Sequence, residues 1–519
     1  MPPTLPGPYL LGLDCGTEAA RAAIFDAEGH LVAIARSPYP TAHPHQGWAE
    51  QDPRDWWRAT VAATRGVLAE SDIAPSAISA LAVAATSCSV VAWDDSGKPL
   101  RPALIWMDVR AASQARRIAE TGDPALKYSG YTKTSAEWLL SKALWIAEHE
   151  PETYRRATRI GEFVDWMGHR LTGEWAASIN NAAIRAYHDR LAGGWPTSLF
   201  EAVGLPDLVG KLPSRVVDMG DTLGTLTPAA AEELGLPAGL PVAEGGADAF
   251  VGMVGLDVLA PGRVALITGS SHLQLAQAAT PSYAAGMFGA YTDAVIPGQY
   301  TIEGGQVSTG SVVKWLVELV TGVRLAEGGG PGAAAARQLL NDQASKLPPG
   351  SEGVLALEFW QGNRTPYVDA EARGMLWGMS LGHEPAHLYR AVIEAVCYGT
   401  ENVFRTFRAN GHTLTDVVAC GGAVNSDLWM QIHADVSNLP ITITEVPEAV
   451  SLGAAALASV AGGVHPTVAD AARRMVRVVR RIEPDTKAHE AYRFYVERYV
   501  ASYEAMQQLM HEVVEHVNS

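Results

Sequence analysis

The chain opens on an apolar run, Tyr9-Leu10-Leu11-Gly12-Leu13, closed by Asp14-Cys15-Gly16-Thr17, and a second run from Ala19 to Phe25 follows at once. Short continuous apolar runs bounded by turn residues predict buried strands, so residues 9–36 read as a two- or three-stranded meander. The period then changes. After the start signal Asp52-Pro53, the residues Trp56, Val61, Ala63, Val67 and Leu68 recur at helical spacing up to Glu70. Ile78 to Ala85 and Val90 to Trp93 return to a strand pattern, and Asp94-Asp95-Ser96-Gly97 is a turn. Residues 110–175 read as mostly helical, with Trp138, Trp145 and Trp166 as apolar anchors. Strands alternating with helices predict a mixed α/β domain.

The opening pattern recurs about halfway along. Val264 to Ile267 reads as a strand, Thr268-Gly269-Ser270-Ser271 as a turn, and His272 to Ala276 as a strand again. A third strand, Leu414 to Cys420, runs into Gly421-Gly422-Ala423-Val424-Asn425-Ser426 and a helix from Asp427 to Ser437. Three strand-then-glycine turns spread over two halves suggest a duplicated fold gripping one ligand in a cleft. Ala326 to Ala336 reads as a loop: no strand precedes its glycines, so they form no dinucleotide fingerprint. Ala449 to Val464 is too short and too rich in Ala and Gly for a membrane span and reads as a closely packed internal helix. Lys487 to Val517 has the spacing of an amphipathic helix or helix pair.

Composition narrows the class. A chain of 519 residues exceeds one core and fits two or three domains. With 48% hydrophobic and 18% charged residues it is ordinary globular material. A net charge of −17 argues against nucleic-acid and anionic-membrane partners. Any nucleotide site must therefore be built locally, from amides, Mg²⁺ and a few basic side chains. Cys15, Cys88, Cys397 and Cys420 show no C-x-x-C spacing and read as buried free thiols in a reducing compartment. Met1 to Pro8 lacks a basic-then-apolar export pattern. The expectation is a soluble, cytoplasmic protein.

The chemistry centres on the glycine turns. A tight Gly turn between strands bares N–H groups that suit phosphate oxygens. The Asp14 carboxylate beside it then implies a metal, or a metal-bound water, between itself and the phosphate. The sequence holds no G-x-x-x-x-G-K-[ST], no protein-kinase signature and no G-x-S-x-G elbow. His511-Glu512-Val513-Val514-Glu515-His516 lacks the i, i+4 histidine pair of a zinc site. Asp248 follows Gly245-Gly246-Ala247, where neighbours would not crowd a substrate. On local pattern alone a helix N-cap is one role for it.

Taken in order, Asp14-Cys15-Gly16-Thr17, Gly245-Gly246-Ala247-Asp248, Thr268-Gly269-Ser270-Ser271, Glu303-Gly304-Gly305-Gln306 through Ser311, and Cys420-Gly421-Gly422-Ala423-Val424-Asn425-Ser426 resemble the FGGY carbohydrate kinases. The segments Phe359 to Pro366, Arg373 to Met379 and Ser451 to Ala456 add to a resemblance that runs from about residue 9 to 465. It implies two actin-like, ribonuclease H-like α/β domains with a nucleotide and sugar cleft between them. The implied boundaries are 1–247 for the sugar-binding side, 248–475 for the nucleotide-binding side and 476–519 for a C-terminal helical segment. It also implies MgATP-dependent phosphorylation of a sugar or polyol with Asp248 as base.

The site residues follow from the same resemblance. Asp14 would face Mg²⁺ through water, while Gly16 and Thr17 meet the γ-phosphate and Thr268 and Gly269 clasp phosphates from the other domain. Gly310 falls near the nucleotide, with Lys314 close by where the family often has Gln; a surface lysine is the plainer account. Gly421, Gly422 and Ala423 would let backbone approach adenine or ribose, with Asn425 and Ser426 as hydrogen-bonding or capping residues.

Ser87 and Cys88 stand where glycerol kinases carry an Arg-Glu pair, which counts against glycerol. Thr134-Ser135-Ala136-Glu137-Trp138 with Lys142, and Glu303 to Gln306, resemble the ribulokinase branch. There a Glu at the position of Glu303 contacts the ketopentose. Trp106-Met107-Asp108 departs from that branch's Trp-Lys-Asp. No clear lysine counterpart occurs at 181–188, where Arg185 or His188 would stand in. Trp138 is either a sugar platform or core. The implied substrate is ribulose, with xylulose or a four- or five-carbon polyol as alternatives. A non-catalytic sugar-binding regulator on the same scaffold is the reading from another class. A homodimer is expected.

Overall fold

The computed structural model describes residues 7–131, 133–322 and 331–518. Its two compact units are each assembled from three stretches of sequence. The first takes Met1–Leu259, Gln277–Ile302 and Glu448–Arg477; the second takes Ala260–Ala276, Glu303–Pro447 and Val478–Ser519.

In the first unit the apolar opening run is the strand Tyr9–Cys15, buried along its whole length. It pairs antiparallel with Ala19–Asp26, which pairs with Leu31–Pro38, completing the expected meander. The register sets Asp14 opposite Arg21. On its other edge Tyr9–Cys15 runs parallel to Ile78–Ala85, and that strand runs parallel to Pro241–Ala247. Among the described residues the sheet order is Thr222–Thr225, Pro241–Ala247, Ile78–Ala85, Tyr9–Cys15, Ala19–Asp26, Leu31–Pro38. Parallel strands need both faces covered, which explains why these runs are apolar throughout instead of alternating. The helix Pro53–Ser71, capped by Asp52, packs on Ala19–Asp26 and Leu31–Pro38. The helix Ala449–Ala461 lies against Tyr9–Cys15, Ile78–Ala85 and Pro241–Ala247, its small side chains giving close contact.

Because the three parallel strands share a direction, their carboxyl ends fall together. Asp14, the segment after Ala85, and Asp248 all leave the sheet there. Ligands of open α/β sheets bind at that end.

The second unit repeats the device. Arg263–Thr268 pairs antiparallel with His272–Ala278 and parallel with Asp416–Gly421. Among the described residues, consecutive strands of this sheet include Tyr300–Gln306, His272–Ala278, Arg263–Thr268, Asp416–Gly421, Ile441–Thr444 and Val478–Ile482. A hairpin with a parallel third strand thus occurs in each unit, as a duplicated fold requires.

Several expectations are revised. Pro331–Ala344 is a helix, not a loop, because its alanine run is strongly helix-forming; residues 326–330 of that segment lie outside the described residues. The strand Arg159–Glu162 interrupts the helical stretch and pairs with Val90–Trp93. The cut at 247/248 does not separate compact units: the helix Asp248–Gly255 continues directly from Pro241–Ala247 and packs on Ala449–Ala461 within the first unit. Nor do residues 476–519 stand apart. Val478–Ile482 joins the second unit's sheet, and the helix Thr486–Asn518 packs on Pro385–Ala409 and Asp427–Ser437. All four cysteines are free and buried. Among the described residues, no helix is long and apolar enough to cross a membrane.

Candidate functional site

Within the first unit, the strand ends gather an acid pair and a buried cation. Asp14 is buried, and its Oδ2 accepts a hydrogen bond from Arg21 Nη1 at 2.7 Å. Burial raises the Asp14 pKa, and Arg21 pulls against that rise. Asp248 is the first residue of the helix Asp248–Gly255; the N-cap is Ala247, whose side chain makes no capping bond. Asp248 Oδ1 instead accepts from the Ala249 N–H at 2.7 Å. The Asp248 carboxyl is pushed up to about 7, first by burial and then by the neighbouring Asp14 charge, against the Ala249 N–H, Arg185 and Arg21. A carboxylate tuned near neutrality suits a general base.

Arg185 closes the helix Ile179–Ala186 and is buried. Its Nε lies 3.3 Å from Ser87 Oγ and its Nη1 lies 3.4 Å from Tyr291 Oη. The guanidinium sits 5.8 Å from the Trp138 ring and 5.9 Å from the Phe250 ring. Ser87, Trp138 and Arg185 are therefore brought together, with Tyr291 and Phe250 as members that the sequence reading missed. Trp138 itself is 4% exposed and packs against Tyr187 and Phe288, as a core residue does. His188 is also buried, with burial drawing its pKa down to about 4.

Lys142 sets the floor beneath this group. Wholly buried, its Nζ donates to the carbonyls of Cys88 at 2.6 Å, Ile105 at 2.7 Å and Leu104 at 3.3 Å. It therefore pins the Ser87-Cys88 turn from below and points its charge into backbone oxygens. Thr17 is held from two sides: Trp106 Nε1 donates to its hydroxyl at 3.0 Å and Gln51 Nε2 to its carbonyl at 2.7 Å. The Gly16 N–H closes the hairpin on the Ala19 carbonyl at 3.1 Å, so the amide expected to meet phosphate is already bonded.

The second unit gathers the other glycine turns. Gly310 opens the helix Gly310–Thr321, and its N–H donates to the Gly269 carbonyl at 3.2 Å; Thr309 and Ser311 donate to Ser270. Thr268 Oγ1 donates to the Cys420 carbonyl at 2.6 Å and accepts from the Ala423 N–H at 3.1 Å, so its hydroxyl welds two turns together. Gly421 has φ 90°, and a Cβ there would lie 1.8 Å from the Thr268 carbonyl oxygen, so only glycine fits. Nothing lies within 4 Å of a Cβ built on Gly422, which leaves that backbone open to a ligand.

Ser426 is the N-cap of Asp427–Ser437, accepting from the Trp429 N–H, and its hydroxyl donates to Asn341. Asn425 donates to the Gly422 carbonyl at 3.3 Å. Ser426 thus fills the capping role weighed for it, whereas Asn425 bonds within its own turn. Lys314 is exposed on its helix. Glu303 is buried in Tyr300–Gln306 and belongs to the second unit. His511 Nε2 pairs with Asp369 Oδ2 at 2.8 Å. No group of three or more His, Cys, Asp or Glu side chains among the described residues is arranged to hold a metal ion.

Two family models match in chain order. The N-terminal domain of the FGGY family of carbohydrate kinases covers residues 9–255, and the C-terminal domain of the same family covers residues 264–462. Fold and matches together define a sugar kinase with two α/β domains. The chain belongs to the FGGY family of carbohydrate kinases.

It is 32% identical over 526 residues to a ribulokinase from Shouchella clausii, covering 94% of this chain and 92% of that relative. An autoinducer-2 kinase from Escherichia coli is 31% identical over 519 residues, covering 96% of this chain and 94% of the relative. Among solved structures, a xylulose kinase from Rhodospirillum rubrum superposes with a TM-score of 0.85 at 28% identity, covering 97% of this chain and 100% of that one.

Proposed function

We propose that the protein transfers the γ-phosphoryl group of ATP to a hydroxyl of a pentulose, with ribulose the leading candidate and Asp248 the general base. The observation that carries this reading is Asp248 itself, held at the carboxyl end of a parallel strand beside Asp14, with a pKa of about 7. Its proton affinity lets it take the proton of the attacking hydroxyl near neutral pH. The sugar oxygen then bonds to the γ-phosphorus as the bond from that phosphorus to the β–γ bridging oxygen breaks, and ADP leaves with the electron pair. Arg185 and Ser87 would orient the polar groups of the sugar. Thr17, Thr268, Gly269, Gly310 and Gly421 to Ala423 are the residues proposed for the nucleotide. Glu303 would contact the sugar.

Asp14, whose Oδ2 already accepts from Arg21, would face Mg²⁺ through a water. Bound there, the ion would neutralise phosphate charge. Ribulose is favoured by the similarity to ribulokinases at about 30% identity along most of the chain. The similarity to a xylulose kinase makes xylulose the second reading.

The test is an ADP-release assay with MgATP across D- and L-ribulose, both xyluloses, ribitol, arabitol, erythritol and glycerol. Turnover should be greatest with a ribulose enantiomer. A response confined to xylulose or a polyol would overturn the choice of sugar and keep the kinase. Silence with ATP still bound would favour a non-catalytic binder.

A further inference from the structure

Among the described residues, the last residues of the strand Pro241–Ala247 lack a strand neighbour on one edge. Pairing with Thr222–Thr225 ends at Ala243 opposite Thr222, and two loop bonds extend it to Glu244. Beyond that point side chains take over. Ser178 Oγ donates to the Gly245 carbonyl at 2.6 Å, and Asn180 Oδ1 accepts from the Ala247 N–H at 2.9 Å. Both come from the start of the helix Ile179–Ala186, whose last turn carries Arg185. Asn180 is fully buried, and its Nδ2 donates to the Ala294 carbonyl at 2.8 Å, so both halves of its amide are bonded.

The opposite edge is fixed as tightly. Gly246 and Ala247 pair with Ala84 and Ala85 after an irregularity in register, and a Cβ on Gly245 would lie 1.7 Å from the Val83 carbonyl oxygen. The end of this strand is therefore held along both edges, one residue before Asp248.

We propose that Asn180, assisted by Ser178, is a positioning residue for phosphoryl transfer: the two side chains replace the missing strand and fix the direction in which the Asp248 carboxylate leaves the sheet. This inference rests on Asp248 being the base. A reacting group must be held within fractions of an ångström, and a displacement of about 1 Å can cost about 100-fold in rate. Removing the Asn180 amide would leave the Ala247 N–H unbonded and buried and let the strand end relax.

The experiment compares Asn180→Ala, Ser178→Ala and Asp248→Asn in the full chain on the most responsive sugar. It measures kcat, KM for MgATP, thermal unfolding and the pH profile of kcat/KM. Asn180→Ala should lower kcat by about 10- to 100-fold and Ser178→Ala by about 3- to 10-fold, with KM for MgATP within about twofold. In both, the acidic limb of the profile should move, which a loss of folded protein would not cause. If Asn180→Ala does not fold, Ser178→Ala carries the same test. Wild-type kcat and an unmoved acidic limb in the variants that fold would overturn the positioning role while leaving the base intact. Near-normal turnover in Asp248→Asn would instead overturn the base, and this inference with it.

Discussion

Lowering the assay pH from 8 to 5 should switch the enzyme off, because the Asp248 carboxyl sits at about 7. Only the ionised form can accept a proton, so activity present above that pKa is lost as pH falls through it. The active fraction is about nine-tenths at pH 8, about half at pH 7 and about one-hundredth at pH 5, a fall of roughly 50-fold between the last two. An aspartate of ordinary pKa, about 3.9, would still be more than nine-tenths ionised at pH 5.

Raising the carboxyl from 3.8 to about 7 corresponds to about 4 kcal/mol against its charged form. Burial is the leading cause and the Asp14 charge the second. Asp14→Asn removes that second cause, so the residual activity of this variant should have its acidic limb at lower pH. The assay is kcat/KM for the sugar at saturating MgATP, with the coupling enzymes in excess at every pH. A profile flat from pH 8 to 5.5, or a limb that rises in Asp14→Asn, would refute the reasoning.

Two further outcomes are expected. Lys142→Met leaves the carbonyls of Cys88, Leu104 and Ile105 without their buried donor. It should cost about 1–3 kcal/mol by chemical denaturation and raise KM for the sugar by loosening the Ser87 turn; unchanged stability would contradict this. Gly421→Ala places a Cβ against the Thr268 carbonyl at a φ of 90°. It should raise KM for MgATP several-fold and leave KM for the sugar near wild type, which steady-state kinetics in each substrate would check.

Much of the frame was legible in the residues, for physical reasons. Tyr9 to Phe25 is apolar apart from Asp14 to Glu18 and Arg21, and such a stretch has few outcomes besides a buried hairpin. That hairpin also encoded one contact that went unread. Its short turn fixes Asp14 opposite Arg21, so the salt bridge between them follows from counting residues across the turn.

Other features were not local. Tyr291 reaches its place from a separate stretch of the first unit, and Phe250 and Asn180 through contacts between residues far apart in sequence, which no spacing along the chain reports. Residues 331–336 belong to the helix Pro331–Ala344 yet carry a loop signal in the sequence, because the glycines before them outweigh the alanines. Lys142 looked like part of a binding motif, and its type and position in the sequence were compatible with that. Only the three carbonyls around its Nζ reveal a lysine that braces the backbone.

The most direct test of the central claim is Asp248→Asn, assayed for turnover of the responsive sugar and, separately, for nucleotide binding by calorimetry. Asparagine can still accept the Ala249 N–H bond, and it keeps the side chain's size while losing the proton-accepting carboxylate. Turnover should fall by about 100- to 10,000-fold, with ATP affinity within a few-fold of wild type. Near-normal turnover with unchanged ATP binding would contradict the account.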